Sequence, residues 1–195
     1  AADFRLEKKT DYQKWYKQKH RAVQFIKKSI YSLPEINRNE IKKYNIISSP
    51  GCYPTSILLP LIPLFDKNLV KVKNVIIDSK SGYSGAGRGV HKKYKSKNLY
   101  ESLSAYGVGF HRHNVEIDQV LKKFTKKKIE VSFTPHLIPM FRGILSTIYL
   151  DLEKNVSQKK VIKLLSYYYK KEKFVKILKF NTLISTNDVL NTNNC

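Results

Sequence analysis

The chain has little material for cross-links, none for a membrane span and few arginines. Its 195 residues hold two cysteines, one of them the last residue. No disulfide framework can be drawn from that, and a reducing compartment is the expectation. There is no run of eighteen apolar residues and no leader pattern, which predicts a soluble, cytoplasmic chain without membrane contact. No Gly-x-Gly-x-x-Gly follows a candidate strand, so the usual phosphate cradle of a dinucleotide-binding domain is missing. Internal repeats and low-complexity linkers are also absent. Arginine accounts for only six of the 37 basic residues.

That last scarcity bears on the formal net charge of +22. Such an excess invites a nucleic-acid reading, because lysine clusters bind phosphate backbones. Here the lysines are spread along the chain, and readers of bases and phosphates favour the bidentate arginine fork. The expectation is no nucleic-acid partner. A hydrophobic content of 42% with 12% aromatics indicates a globular chain, one large domain or one domain with a piece of a second.

The most informative stretch is Ser49-Pro50-Gly51-Cys52-Tyr53-Pro54-Thr55, followed by an apolar run to Phe65. Pro50 and Gly51 specify a turn, and Pro54 fits a first helical turn, so Cys52 is predicted at a helix N-terminus. Unpaired N–H groups and the helix dipole favour a thiolate there, which makes Cys52 a candidate nucleophile. The plainer alternative is a cysteine packed as a small apolar residue.

Along the chain, residues 11 to 19 suit a short helix with Asp11 near its cap, and residues 44 to 48 a strand that delivers the Cys52 turn. The apolar run predicts a helix interrupted or bent at Pro60 and Pro63. Residues 70 to 79 read as a buried strand leading into the glycine-rich segment 81 to 89, whose backbone could approach a ligand and offer N–H groups to an anion. The lysine-rich stretch 91 to 98 reads as a surface loop. A helix is predicted from Asn114, as cap, to Phe124, leaving His111, Arg112 and His113 at its N-terminus, where an anion is favoured and an imidazolium is not. Residues 129 to 133 and 144 to 152 alternate as strands do, 158 to 170 is an amphipathic helix, and 175 to 178 a last short strand.

The Cys52 heptapeptide resembles the Asn-Pro-Gly-Cys-Tyr-Pro-Thr signature of N-acetyl-gamma-glutamyl-phosphate reductases, with Ser49 in place of Asn. Three further blocks resemble that family in order: Ser81 to Gly89; Tyr106 through His111-Arg112-His113 to Glu116-Ile117, with Val115 for a Pro; and Thr134 to Met140 leading into Arg142-Gly143-Ile144. The opening Ala1-Ala2-Asp3-Phe4-Arg5-Leu6 and Tyr31-Ser32-Leu33-Pro34-Glu35 are similar to family segments as well, and so is Val189 to Cys195, where Asn191 replaces a glycine.

The resemblance implies an α/β fold: a mixed, mainly antiparallel sheet with helices on one face, like the catalytic domain of glyceraldehyde-phosphate dehydrogenases. Residues 1–48 would be the residual end of a nucleotide-binding domain, and 49–195 a catalytic and dimerisation domain truncated at its C-terminus. It implies NADP as cofactor and a homo-oligomer as the full-length form. The activity implied is reduction of an acyl phosphate, a small-molecule substrate, to an aldehyde through a thioester on Cys52. His111 is the expected acid–base, with His113 the alternative. Arg112, His113, Arg142 and Glu116 are candidate substrate ligands, Tyr106 a neighbour of the thiolate, and Ser84, Gly85, Ala86 and Asn193 candidate cofactor contacts. The other readings are a related aspartate-semialdehyde or glyceraldehyde-phosphate dehydrogenase, and an inactive or basic binding domain.

Overall fold

The computed structural model of the chain describes residues 2–86, 101–125 and 127–195. Gly87, Arg88, Gly89 and the lysine-rich stretch 91 to 98 lie outside the described residues.

The organising element is helix α3, Cys52–Asp66. Its side chains are apolar on almost every side, the pattern of a helix buried all round. Ile57, Leu58, Leu61, Ile62 and Phe65 are all within 1% of full burial. It runs unbroken through Pro60 and Pro63, against the expected interruption. Burial of each large apolar side chain contributes about 1.5–3 kcal/mol, which outweighs the ~3 kcal/mol cost of each interior proline. Part of that cost is also met locally. Pro63 deprives the Leu59 carbonyl of its helical donor, and the buried hydroxyl of Tyr169 donates to it instead, at 2.5 Å.

Ahead of α3 lie helix α1 (Lys9–Tyr16), strand β1 (Ser29–Tyr31), helix α2 (Pro34–Ile41) and strand β2 (Ile46–Ser48). Helix α1 ends earlier than expected, at a left-handed Lys17, and its N-cap is Lys8 without a side-chain bond. Strands β1 and β2 form a small parallel sheet, Ile30 beside Ile47, and β2 feeds the Cys52 turn as expected.

The main sheet has strands β3 (Val75–Ser81), β4 (Ser104–Ala105), β5 (Val131–Leu137) and β6 (Ile144–Tyr149), in the order β4-β5-β3-β6. The β3–β5 pairing is parallel and the other two antiparallel, the mixed sheet expected. Strand β3 starts only at Val75, because Asn74 takes a left-handed φ of 59°. Strand β5 runs on through Pro135, past the end expected at residue 133. The Pro135 carbonyl accepts the Tyr106 amide, so its missing N–H faces the two-residue edge strand β4, where proline is tolerated.

Helix α4 (Arg112–Leu121) and helix α5 (Gln158–Tyr168) join α3 over one face of this sheet. Val75, Ile77, Phe133, Ile117 and Leu121 fill the layer between them. The other face is open: Ile76 is paired with Tyr149, and the two are 48% and 58% exposed. The expected strand over 175 to 178 is corrected. Among the described residues that segment forms no strand; Lys176 N–H donates to the Cys195 carbonyl and Cys195 N–H to the carbonyl of the preceding Phe174, both 2.7 Å.

Candidate active site

Gly51 is the N-cap of α3, so Cys52 stands at its first position with the thiol reaching solvent. The carbonyl of Gly51 accepts the Thr55 amide, the first turn of the helix. The amide of Gly51 donates to Oε1 of Glu116 on α4, at 2.7 Å. The same oxygen accepts the Tyr31 hydroxyl at 2.7 Å. One buried carboxylate thus ties β1, the cysteine turn and α4 together. Glu116 is 1% exposed. Glu116, expected as a substrate ligand, lies beneath the turn, and the two donors on its Oε1 both come from the protein.

Gly51 is needed for a close approach and has an ordinary φ of −64°. A Cβ there would fall 2.2 Å from Nε2 of His113. His113 therefore lies directly against the residue before the cysteine. His111 serves differently, as the N-cap of α4, with its Nδ1 accepting the His113 amide at 3.1 Å. This corrects the cap, expected at Asn114. An imidazole in that position does what Ser or Asp does elsewhere, and no propensity scale marks it. The His111 and His113 rings meet edge to face at 4.7 Å between centroids, and both pack on Tyr53.

Both imidazoles are neutral near pH 7. Burial, then the Arg112 guanidinium, lowers His111 to about 4. Burial, then His111, Arg5 and Arg112, lowers His113 to about 3. The direction is the expected one, but its causes are burial and neighbouring charge and not the helix N-terminus. The thiol departs from its expectation. Desolvation pushes the Cys52 thiol up, against the backbone N–H groups of Tyr53 and Cys52 and the charge of Arg5, which pull it down. Although its surface reaches solvent, the protein packed around it costs the thiolate more hydration than the helix terminus returns.

Tyr53 connects this corner to the glycine-rich segment. Its hydroxyl accepts from Tyr106 at 3.0 Å, donates to the His136 carbonyl at 3.2 Å and faces the Ser81 hydroxyl. Tyr106 is thereby placed beside Tyr53, the residue that follows the cysteine. Ser84 and Gly85 are exposed just beyond. The amides of this segment, however, are spent on the protein: Gly82 N–H on the Gly143 carbonyl, Tyr83 on Met140, Ser84 on Phe141 and Gly85 on Gly82. A Cβ at Gly82 would strike the Phe141 carbonyl at 2.6 Å. The glycines serve a tight zip between two loops, and the idea that the amides of residues 82–85 hold an anion is corrected.

Arg142 belongs to the zipped partner loop, exposed and stacked on Phe141, 4.9 Å from its ring centre. Arg112 is exposed over the Tyr16 ring at 5.1 Å. Asn193 is exposed in the final turn, before the Cys195 pairing. Ala86 closes the short 3-10 turn Tyr83–Ala86. Sequence reasoning missed Arg5, Tyr31 and Gln119, which hold the site from outside its motifs. For the first two the signal was the resemblance of their own short blocks. Gln119 gave none.

A cysteine at a helix N-terminus, with a histidine pair against its turn, thus stands on a mixed sheet covered by helices on one face. The family profile described as "Semialdehyde dehydrogenase, dimerisation domain" matches residues 52–195, and the chain belongs to that family. Over its whole length it is 46% identical to the probable N-acetyl-gamma-glutamyl-phosphate reductase, chloroplastic, of Arabidopsis thaliana, of which it covers 49%. It is 41% identical to N-acetyl-gamma-glutamyl-phosphate reductase of Halothermothrix orenii, covering 100% of this chain and 56% of that one. The chain spans about half the length of these curated relatives. Among solved structures, aspartate semialdehyde dehydrogenase from Francisella tularensis superposes with a TM-score of 0.65 at 16% identity, over 86% of this chain and 60% of that one. Aspartate semialdehyde dehydrogenase II from Vibrio cholerae gives 0.62 at 14%, over 85% and 56%. What is shared with these structures is the fold, an α/β domain with a mixed sheet. Among the described residues, no helix is long and apolar enough to cross a membrane.

Proposed function

We propose that this chain is the catalytic part of an N-acetyl-gamma-glutamyl-phosphate reductase, and that residues 1–48 are the end of its nucleotide-binding domain. The observation that carries this reading is the contact of His113 with Gly51, which sets an imidazole beside Cys52 at a helix N-terminus.

In the proposed reaction the Cys52 thiolate attacks the acyl carbon of the acyl phosphate, a C–S bond forms, and the C–O bond to phosphate breaks with its electron pair leaving on phosphate. The thioester carbon then accepts hydride, and the resulting alkoxide is protonated. Breaking the C–S bond releases the aldehyde and returns the thiolate. A neutral imidazole takes the Cys52 thiol proton before the attack, gives it to the alkoxide as imidazolium, and takes it back as the C–S bond breaks. His111 was the expected acid–base, but its Nδ1 is held by the His113 amide, so we assign the role to His113. Arg112 and Arg142, both exposed, would hold the carboxylate or phosphate of the substrate.

A reduced nicotinamide cofactor, which we take to be NADPH, would supply the hydride when bound. The exposed side chains of Ser84 and Asn193 supply a hydroxyl and an amide suited to a carboxamide. The diphosphate finds no such donors in 82–85, whose amides are already bonded. We also propose that a second copy covers the open sheet face, where Ile76 and Tyr149 are exposed side by side, and that the protein works in the cytoplasm.

The test is NADP- and phosphate-dependent oxidation of N-acetylglutamate semialdehyde by the full-length protein, beside Cys52→Ala. Activity abolished by the substitution supports the reading. Turnover of aspartate semialdehyde instead, or activity indifferent to Cys52, overturns it.

A further inference from the structure

The N-terminal segment lies across the outside of the site and is fastened there at several points. Leu6 is 1% exposed. The Gln119 side chain on α4 clamps both of its neighbours, donating to the Arg5 carbonyl at 3.0 Å and accepting the Glu7 amide at 2.8 Å. Glu7 in turn forms an ion pair with Lys123. From this fixed backbone the Arg5 side chain reaches the cysteine turn. Its Nε donates to the Ser49 carbonyl at 2.8 Å and its Nη2 to the Pro50 carbonyl at 3.2 Å.

We propose that Arg5 is a positioning residue for Cys52: its guanidinium fork fixes the two carbonyls that precede the cysteine and brings a positive charge to the thiol. The proposal rests on the reading of Cys52 as the nucleophile. A planar fork can bridge two successive carbonyls in one geometry, and a lysine ammonium cannot. The turn is thus held from both sides, by Arg5 through the carbonyls of Ser49 and Pro50 and by Glu116 through the amide of Gly51. The charged and titratable groups around the thiol are Arg5 on the N-terminal segment and Glu116, His113, His111 and Arg112 on α4, with Tyr53 following on α3. Arg5 favours the thiolate and Glu116 opposes it.

The test is the pH profile of iodoacetamide alkylation, read on the peptide holding Cys52 by mass spectrometry so that Cys195 does not interfere, in the full-length protein and in Arg5→Met and Arg5→Lys. Arg5→Met is expected to raise the midpoint by about one pH unit, roughly a tenfold loss of rate at pH 7. Arg5→Lys should fall between, because it keeps the charge without the fork. An Arg5→Met profile that superimposes on the parent overturns the proposal. If circular dichroism shows Arg5→Met unfolded, Arg5→Lys decides: a parental midpoint together with a parental limiting rate overturns it. A parent whose Cys52 never alkylates sinks the nucleophile reading itself, an outcome distinct from either.

Discussion

Glu116 accepts the amide of Gly51 across 65 positions of sequence, with 2.7 Å between the atoms. The bond ties the cysteine turn to the helix that carries both histidines. Its carboxylate is also the negative charge that opposes a thiolate at Cys52. Glu116→Gln keeps an acceptor for Gly51 and Tyr31 and removes that charge, so the midpoint of Cys52 alkylation should fall. Glu116→Ala leaves two buried donors unpaired, at about 1–3 kcal/mol each, and urea unfolding should register the loss. An unchanged alkylation profile in Glu116→Gln would refute the electrostatic part.

Gly51→Ala tests the contact between turn and imidazole. The backbone there tolerates any residue, so the effect must come from the Cβ meeting His113. We expect about 1–3 kcal/mol of destabilisation from overpacking and a slower Cys52. Combining it with His113→Ala should recover much of the stability, because the ring that clashes is then gone. Additive losses in that double-mutant cycle would show that the contact is not the cause.

The two histidines predict an acid limit. Their folded pKa values, about 4 and about 3, lie below the ordinary 6.5. Below pH 6.5 the unfolded chain therefore binds more protons than the folded one, and stability contributed by the neutral rings is intact above 6.5 and lost as pH falls toward 3. Tm should decline over that window. Replacing His111 and His113 with Gln should flatten the slope by about one proton for each imidazole. An identical slope in the double variant contradicts the assignment.

Tyr169→Phe should cost about 1–3 kcal/mol, since the Leu59 carbonyl freed by Pro63 loses its buried donor. In a Pro63→Ala background the restored helical amide can take that carbonyl, and the same substitution should then cost less. Equal costs in the two backgrounds, measured by urea unfolding, would count against the compensation.

The sequence alone marked the cysteine turn, the helix after it, the β-branched strands and the histidine pair, because turn chemistry and short-period apolar patterns are local. It misjudged α3 for the same reason. A proline's cost is local, whereas the burial and the Tyr169 hydroxyl that offset it come from residues far along the chain. Only the tertiary structure decided that His111 caps while His113 touches Gly51, that Glu116 is a support, and that the glycine-rich amides are already bonded. Arg5, Glu116 and Gln119 act through contacts that close over long separations. Hydrogen-bond partners and desolvation at such distances are set by packing, and no spacing in the chain encodes them.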